Sequence, residues 1–576
     1  MWRFNARGSI GGSNGRPLQA RKQGAGTLAV MSEPWLPAEH GTDTGPLQKR
    51  VARGLTWTLI DTWGSQLLAL VIFVVLARLL SAADFGLVAL AAVFIFFAQL
   101  IVDQGLGDAL IQRRSLTRSH IDTAFWASMA MGGLLTIVGL LLAAPIATLL
   151  DEPSLAPILQ VLSLTFVLAA LNSIQMALLR REMAFRSLAV RRLVAVSGGG
   201  AVGITFALAG YGVWALVAQQ LANAALSVVM LWRVSPWRPS RHVSPSDFRD
   251  LFSFGINVVA GDILHYFSRN MDNLLIGIFL GTVPLGFYAV AYRILDTSQA
   301  LLVNAARKLA FPVFSRLQNN PDRIRRAYLR AARGLSVVFL PGYIGLALVA
   351  QEAIVLIFGQ RWLPSAPVAT MLFLIGPVLT VQLFSGAVLN AVGHPEVTFR
   401  IRLITSIVNV TGFFIAVTVF RDIVAVAAAF VVRGYLVMPL IIYWLWRYVG
   451  IPISAHIRQL FAPAFATAVM TLAVIGVKLT LLGNVHNAVL LATEIGVGVV
   501  VFVAAMAIVD RRLLVETAAL FLQAAPVSER LARRLGVPVA HERPRRKRKA
   551  ALDADAAAAA DDVGLAGGRS LSETDA

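Results

Sequence analysis

Residues 257–281 read NVVAGDILHYFSRNMDNLLIGIFLG, and after one residue the chain continues over 283–303 as VPLGFYAVAYRILDTSQALLV. Each stretch has the length of an α-helix that crosses a bilayer, roughly 20 residues at 1.5 Å apiece. Yet the two carry Asp262, His265, Arg269, Asp272, Arg293 and Asp296. Ionisable side chains in the hydrocarbon are costly, so they face a bundle interior or a water-filled cavity. The pair reads as a hairpin of membrane helices that holds the polar site of the chain.

Spacing sharpens this. On the first arm Asp262, His265, Arg269 and Asp272 recur at helical intervals and form one stripe, with Tyr266 and Asn273 beside it. On the second arm Tyr292, Asp296 and Gln299 form a comparable stripe, flanked by Arg293. A turn centred near residues 282–283 sets Arg269 level with Asp296 and Asp272 level with Arg293, two ion pairs at matched depths. The planar fork of arginine suits a phosphate. Arg269, Arg293, Tyr266, Tyr292, Asn273 and Gln299 are therefore the expected substrate contacts, with Arg269 foremost. Asp262, Asp272 and Asp296 are expected in ion pairs or coupling, as is Asp61 in the first apolar block. In the plainer alternative the charges only neutralise one another and lock the hairpin. His265 reads as a packed residue.

Working outward, apolar residues make up 57% of the 576 and charged ones 14%, with a mean hydropathy of +0.71. They come in blocks near 57–79, 86–109, 121–144, 155–178, 191–210, 212–232, 251–280, 284–306, 334–357, 366–392, 401–420, 423–446, 461–482 and 488–509. The expectation is an all-α polytopic membrane protein of about 14 spans; barrel strands would be half as long and would alternate. The net charge of +20 does not point to nucleic acid, because the basic residues gather in alternate connections. Arg113, Arg114 and Arg118 sit in one, Arg180, Arg181, Arg186, Arg191 and Arg192 in the next of that side, and Arg233, Arg238, Arg241 and Arg249 in a third. The intervening connections, such as TLLDEPSLAP (148–157) and GYG (210–212), nearly lack them. By the positive-inside rule both termini lie in the cytoplasm.

An internal repeat relates ARLLSAADFGLVALA (77–91) to GIFLGTVPLGFYAVA (277–291) at an offset of 200, pairing Gly86 with Gly286. A second echo relates APILQVLSL (156–164) to APVATMLFL (366–374). Both link helices six spans apart and running the same way, which gives two parallel six-helix lobes around a central cavity. The expected organisation is a disordered tail over 1–50, a first lobe over 51–233, a basic linker over 234–250 and a second lobe over 251–446. Helices 13 and 14 then occupy 447–510, and a basic then Ala/Asp-rich cytoplasmic tail occupies 511–576. Met31 opens a more ordinary N-terminus, so residues 1–30 are a candidate upstream over-assignment. The tail run RPRRKRK (543–549) is expected to meet anionic lipid at the cytoplasmic face.

Catalytic constellations are missing from the sequence. There is no phosphate-loop motif and no H-E-x-x-H, and cysteine is absent, so no thiolate chemistry is available. Gly198, Gly199 and Gly200 lie inside an apolar block and read as a close helix contact or a bend. Neither a cofactor nor a metal is expected, and an enzyme is not. Asp103, Arg433 and Glu494 are further charges within apolar blocks, and Lys478 is expected to snorkel near the outer face.

The runs 54–113 (GLTWTLIDTWGSQLL to GDALIQR), RNMDNLLIGIFLGTVPLGFYAVAYRI (269–294) and FGQRWLPSAPVATMLFL (358–374) resemble bacterial polysaccharide flippases of the colanic-acid-exporter, Wzx-like type. These belong to the multidrug/oligosaccharidyl-lipid/polysaccharide exporter superfamily. The resemblance spans roughly residues 50–450. It implies a two-lobed bundle with alternating access, moving a short oligosaccharide on undecaprenyl diphosphate from the cytoplasmic to the periplasmic leaflet of the inner membrane. It also implies the polymerase and export machinery as partners. A cation-coupled antiporter, a membrane polymerase or ligase, and a non-transporting scaffold are the competing readings.

Overall fold

The computed structural model describes residues 57, 60–103, 106–113, 116–317, 320–481 and 485–524. We number the long helices in chain order. The first group comprises α1 (Ser65–Leu79, entered through a π-helical turn at Ile60–Gly64), α2 (Ala82–Asp103), α3 (Arg118–Leu149), α4 (Leu155–Arg181), α5 (Phe185–Leu208) and α6 (Trp214–Val234). Next come α7 (Pro245–Phe279), α8 (Thr282–Ser315), α9 (Pro321–Leu348), α10 in two pieces (Ser365–Phe373 and Gly376–Ala391), α11 (Pro395–Ile415) and α12 (Ile423–Val449). The last two are α13 (Ile453–Leu481) and α14 (Asn487–Ala524). Short helices at Leu106–Gln112 and Ala350–Phe358, a 3-10 turn at Gln360–Trp362 and a π-helical turn at Ala416–Phe420 complete the described set.

Local chemistry sets many of these ends. Ser244 caps α7 through the Asp247 N–H and Pro245 opens its first turn; Asn320 and Pro321 do the same for α9. The hairpin turn between α7 and α8 passes through Gly281 at φ 91°, a conformation that glycine adopts without penalty. Among the described residues eleven helices are long and apolar enough to cross a membrane, or twelve if the two pieces of α10, bent by 50°, form one span. Helices α7 and α8, 35 and 34 residues long, fall outside that count. The expected fourteen is reached only by adding them.

The centre of the molecule is the crossing of α2 with α8. Helix α8 packs along α2 more extensively than along its hairpin partner α7. A Cβ at Gly86 would lie 1.7 Å from the Thr282 carbonyl oxygen, and one at Gly286 would lie 1.8 Å from that of Ala82. The two contacts are reciprocal at the repeat offset of 200 residues, as a two-fold axis between the helices requires. The second echo behaves likewise: α4 packs on α2, and the first piece of α10 packs on α8.

Short turns join the helices at one end of the bundle, including 279–282 and 79–82, and this end is sealed. Trp362 is wholly buried there, donates to the Ala77 carbonyl at 2.7 Å, and stands edge-on to Phe85 and Phe287. Arg78 donates to the Ile357 and Leu356 carbonyls at 2.7 and 2.6 Å, tying α1 to the short helix Ala350–Phe358. At the opposite, arginine-rich end, the segment between α6 and α7 is strapped to α3. The Ser240 and Ser244 N–H groups donate to Asp122 and Thr123 at 3.2 and 3.0 Å, and the Ser119 hydroxyl donates to Asp247 at 2.5 Å. Helices α13 and α14 pack on α9 and are held by ion pairs, Arg333 with Asp510 and Lys478 with Glu352. Lys478, expected to snorkel near the outer face, pairs there with a carboxylate of the neighbouring short helix 2.8 Å away.

The α2–α8 crossing yields a test. Gly86→Ala and Gly286→Ala force the two backbones apart and should each lower stability by at least about 1–3 kcal/mol, the usual scale of overpacking. Gly133→Ala in α3, where nothing lies within 4 Å of the added carbon, should leave stability unchanged or raise it by up to about 1 kcal/mol. Thermal melts in detergent separate the three.

A candidate anion site between the helix groups

The site begins with α5. It starts at Phe185, so Arg191 and Arg192 lie in its second turn, within the helix and not in a cytoplasmic connection as the sequence reading had them. The glycine run inside α5 is a close helix contact. A Cβ at Gly199 would lie 2.9 Å from the Gln219 carbonyl oxygen, and one at Gly203 3.2 Å from that of Ala215, so α5 lies against the backbone of α6. Arg191 and Arg192 thereby share a wall with Asn223 of α6. Helix α1 adds Ser65, Gln66 and Ala69, and α8 sends Arg293 across from the second group. These residues line a cavity of about 350 Å³. At 1.5 Å per helical residue, the distance from Ala69 to Leu79 sets it about 15 Å below the sealed end.

Three guanidinium groups line the cavity, and one carboxylate lies beside two of them. Arg192 lies 3.8 Å from Asp61, which the π-helical turn ahead of α1 presents. Arg191 donates to the Ser227 hydroxyl at 2.8 Å, and that hydroxyl donates to Asn172 at 3.2 Å. The Arg293 guanidinium sits 5.8 Å from the centroid of the Phe73 ring. Among the described residues the Nε atoms of Arg191 and Arg293 are buried without an acceptor. Buried donors of a cation left without acceptors are unfavourable until an anion arrives. Among the described residues no group of three or more His, Cys, Asp or Glu side chains is placed to hold a metal.

A second polar cluster lies within the other helix group. Arg269 meets Asp296 at 2.5 Å, the pairing expected from matched depth. Asp272, only 2% exposed, does not meet Arg293; it accepts from the Tyr288 hydroxyl at 2.8 Å. The expected second pair fails because depth is only one coordinate. Successive residues on a helix are turned by about 100°. Tyr292 thus faces Arg269 while Arg293 turns toward α1. Asp272 sits instead in the field of Arg269 and of Arg433 from α12, the latter's guanidinium 4.6 Å from the Phe430 ring centroid. Tyr288 and Tyr292 stack at 5.9 Å between these charges.

The remaining expected residues are dispersed. Tyr266 donates to the Val93 carbonyl of α2 at 2.6 Å, an inter-group contact. Asn273 is half-buried with its Oδ1 lacking a partner among the described residues, and Gln299 is half-buried farther along α8. The side chains of Asp103, Asp262 and His265 lie outside the described residues. Sequence reasoning missed Arg191, Arg192 and Asn223. The signal was available: 185–208 is long enough for one helix if its amino-terminal arginines are counted into it.

A bundle of this kind, with polar side chains gathered in its interior and apolar ones exposed around it, defines a multi-pass membrane protein of transporter architecture. A family model described as "Polysaccharide biosynthesis protein" matches residues 75–367, just over half of the chain, and the chain belongs to that family. It is similar to the succinoglycan biosynthesis transport protein ExoT of Rhizobium meliloti, with 28% identity over 62% of this chain and 73% of that one. It is also similar to the teichuronic acid biosynthesis protein TuaB of Bacillus subtilis, with 27% identity over 75% of this chain and 90% of that one. In fold it is similar to the lipid II flippase MurJ in an inward closed conformation. The TM-score is 0.67 at 15% identity, covering 80% of this chain and 100% of that one.

The second cluster makes a stability prediction that separates buried from exposed polarity. Tyr288→Phe strips a donor from a fully buried carboxylate and should cost about 1–3 kcal/mol. The Arg269–Asp296 pair, half and one-third exposed, should show a coupling below about 1 kcal/mol in a double-mutant cycle. Chemical or thermal unfolding in one detergent checks both.

Proposed function

We propose that this protein flips an undecaprenyl-diphosphate-linked oligosaccharide from the cytoplasmic to the periplasmic leaflet of a bacterial inner membrane, by alternating access. The observation that carries the proposal is the cavity that gathers Arg191, Arg192 and Arg293 from both helix groups, with Asp61 beside Arg192. A diphosphate offers several acceptors to such donors, and bidentate arginine contacts hold it without chemistry. Ser65, Gln66 and Asn223 offer hydrogen bonds to the first sugar. The names of the relatives, one a succinoglycan transport protein and one a teichuronic acid biosynthesis protein, agree with a polysaccharide intermediate as cargo.

In this reading helices 1–6 (51–233) and 7–12 (251–446) are the two moving lobes, joined by 234–250, with helices 13–14 (447–510) appended. The arginine-rich end and both termini face the cytoplasm. The sealed end around Trp362 is then periplasmic, and the cavity loads from inside. Arg269 with Tyr292, and Tyr266, Asn273 and Gln299 along the same hairpin, engage the substrate as the lobes rock, with Asp262 in an ion pair or in coupling. Asp61, Asp272 and Asp296 serve as counter-ions. Anionic lipid meets the 543–549 run, and polymerase and export machinery take the product. The protein is a transporter and not a polymerase or ligase.

The test is flipping of a labelled undecaprenyl-diphosphate oligosaccharide, bearing the correct glycan, in proteoliposomes. Wild-type protein should flip it, and Arg191→Ala, Arg192→Ala and Arg293→Ala should each reduce the rate tenfold or more while the fold is retained. Arg269→Ala should also impair flipping, and exchanging Arg269 with Asp296 should retain the fold without restoring transport. Wild-type vesicles that match empty ones would refute the proposal.

A further inference from the structure

A third charged cluster lies at the short-loop end, away from the cavity. Glu352, on the helix Ala350–Phe358, is 4% exposed and holds Lys478 of α13 at 2.8 Å through Oε1. Lys478 also donates to the Leu348 carbonyl at 3.2 Å. Glu494, in the second turn of α14, is 1% exposed and has Glu352 and Lys478 as its charged neighbours. Among the described residues neither carboxylate oxygen of Glu494, nor Oε2 of Glu352, has a hydrogen-bond partner.

Two carboxylates around one ammonium leave one negative charge uncompensated. A buried carboxylate with no donor is strongly disfavoured unless a positive charge joins it. One charge is missing, so one monovalent ion suffices. A divalent ion would over-neutralise the cluster, and the described residues hold no third acidic or histidine ligand here. We propose that Glu494 and Glu352, beside Lys478, form a binding site for one monovalent cation, a proton or a sodium ion. As a proton it neutralises Glu494; as sodium it is shared by the orphaned oxygens. Either way the ion holds α14 against the helix of Glu352, and its loss sets two carboxylates against each other. The site stands independently of what the transporter carries.

The experiment uses the full chain in lipid nanodiscs and reads the thermal midpoint in two series. One exchanges choline chloride for sodium chloride at constant ionic strength and pH; the other varies pH without sodium. If the ion is sodium, the wild-type midpoint rises with sodium and that of Glu494→Gln does not. If it is a proton, the wild-type midpoint rises on acidification, while Glu494→Gln stays at the acid value throughout. His486, whose Nδ1 accepts from the Ala488 N–H at the start of α14, is common to both proteins and cancels in the comparison. Wild type and Glu494→Gln responding alike in both series would overturn the proposal. Should Glu494→Gln fail to fold, Lys478→Met serves, since removing the ammonium should enlarge the response; a response no larger than wild type would equally overturn it.

Discussion

The arginine cavity is positioned by one close packing constraint, the contact of α2 with α8 at Gly86 and Gly286. With no side chain at either position the two backbones touch, each glycine lying against the carbonyl of the residue that opens the other helix. Between membrane helices the hydrophobic effect gives little preference for one neighbour over lipid, and close packing through small residues decides association. This contact draws α8 toward the first helix group and places Arg293 in the wall of a cavity otherwise built by α1, α5 and α6. Its reciprocity also makes the molecule pseudo-symmetric.

The symmetry exposes a difference. At the offset of 200 residues Ala69, in the cavity wall, corresponds to Arg269; at 210 Asn223 corresponds to Arg433. The second group thus fills its equivalent region with its own cations and balances them with Asp272 and Asp296 behind stacked tyrosines. The first group leaves space there and lines it with arginines that have a single carboxylate among them. One half is self-neutralised and packed, and the other is hollow and cationic. A transporter for an anionic headgroup needs the second kind of surface, held against a rigid frame.

The helices were legible because bilayer thickness imposes a length on each apolar block. The repeat was legible because Gly86 and Gly286 are irreplaceable where backbones touch. The site was legible only in part. Matched depth along a hairpin found Arg269 with Asp296, but depth says nothing about azimuth, and Arg293 turned to a partner two hundred residues away in sequence. Arg191 and Arg192 were hidden by a rule that assigns arginines near helix ends to the cytoplasmic surface. The α5–α6 glycine contact that carries them inward was legible as a close contact or a bend, but the fold that brings α1 alongside does not appear in local sequence.

The central claim is that the first-group cavity, and not the charged hairpin alone, receives the diphosphate. The most direct measurement is an experimental structure of the protein in nanodiscs with undecaprenyl diphosphate bound. The account expects the phosphorus density among Arg191, Arg192 and Arg293, with Asp61 drawn away from Arg192. Phosphates resting on Arg269 with the arginine cavity empty, or lying outside the space between the helix groups, would contradict it.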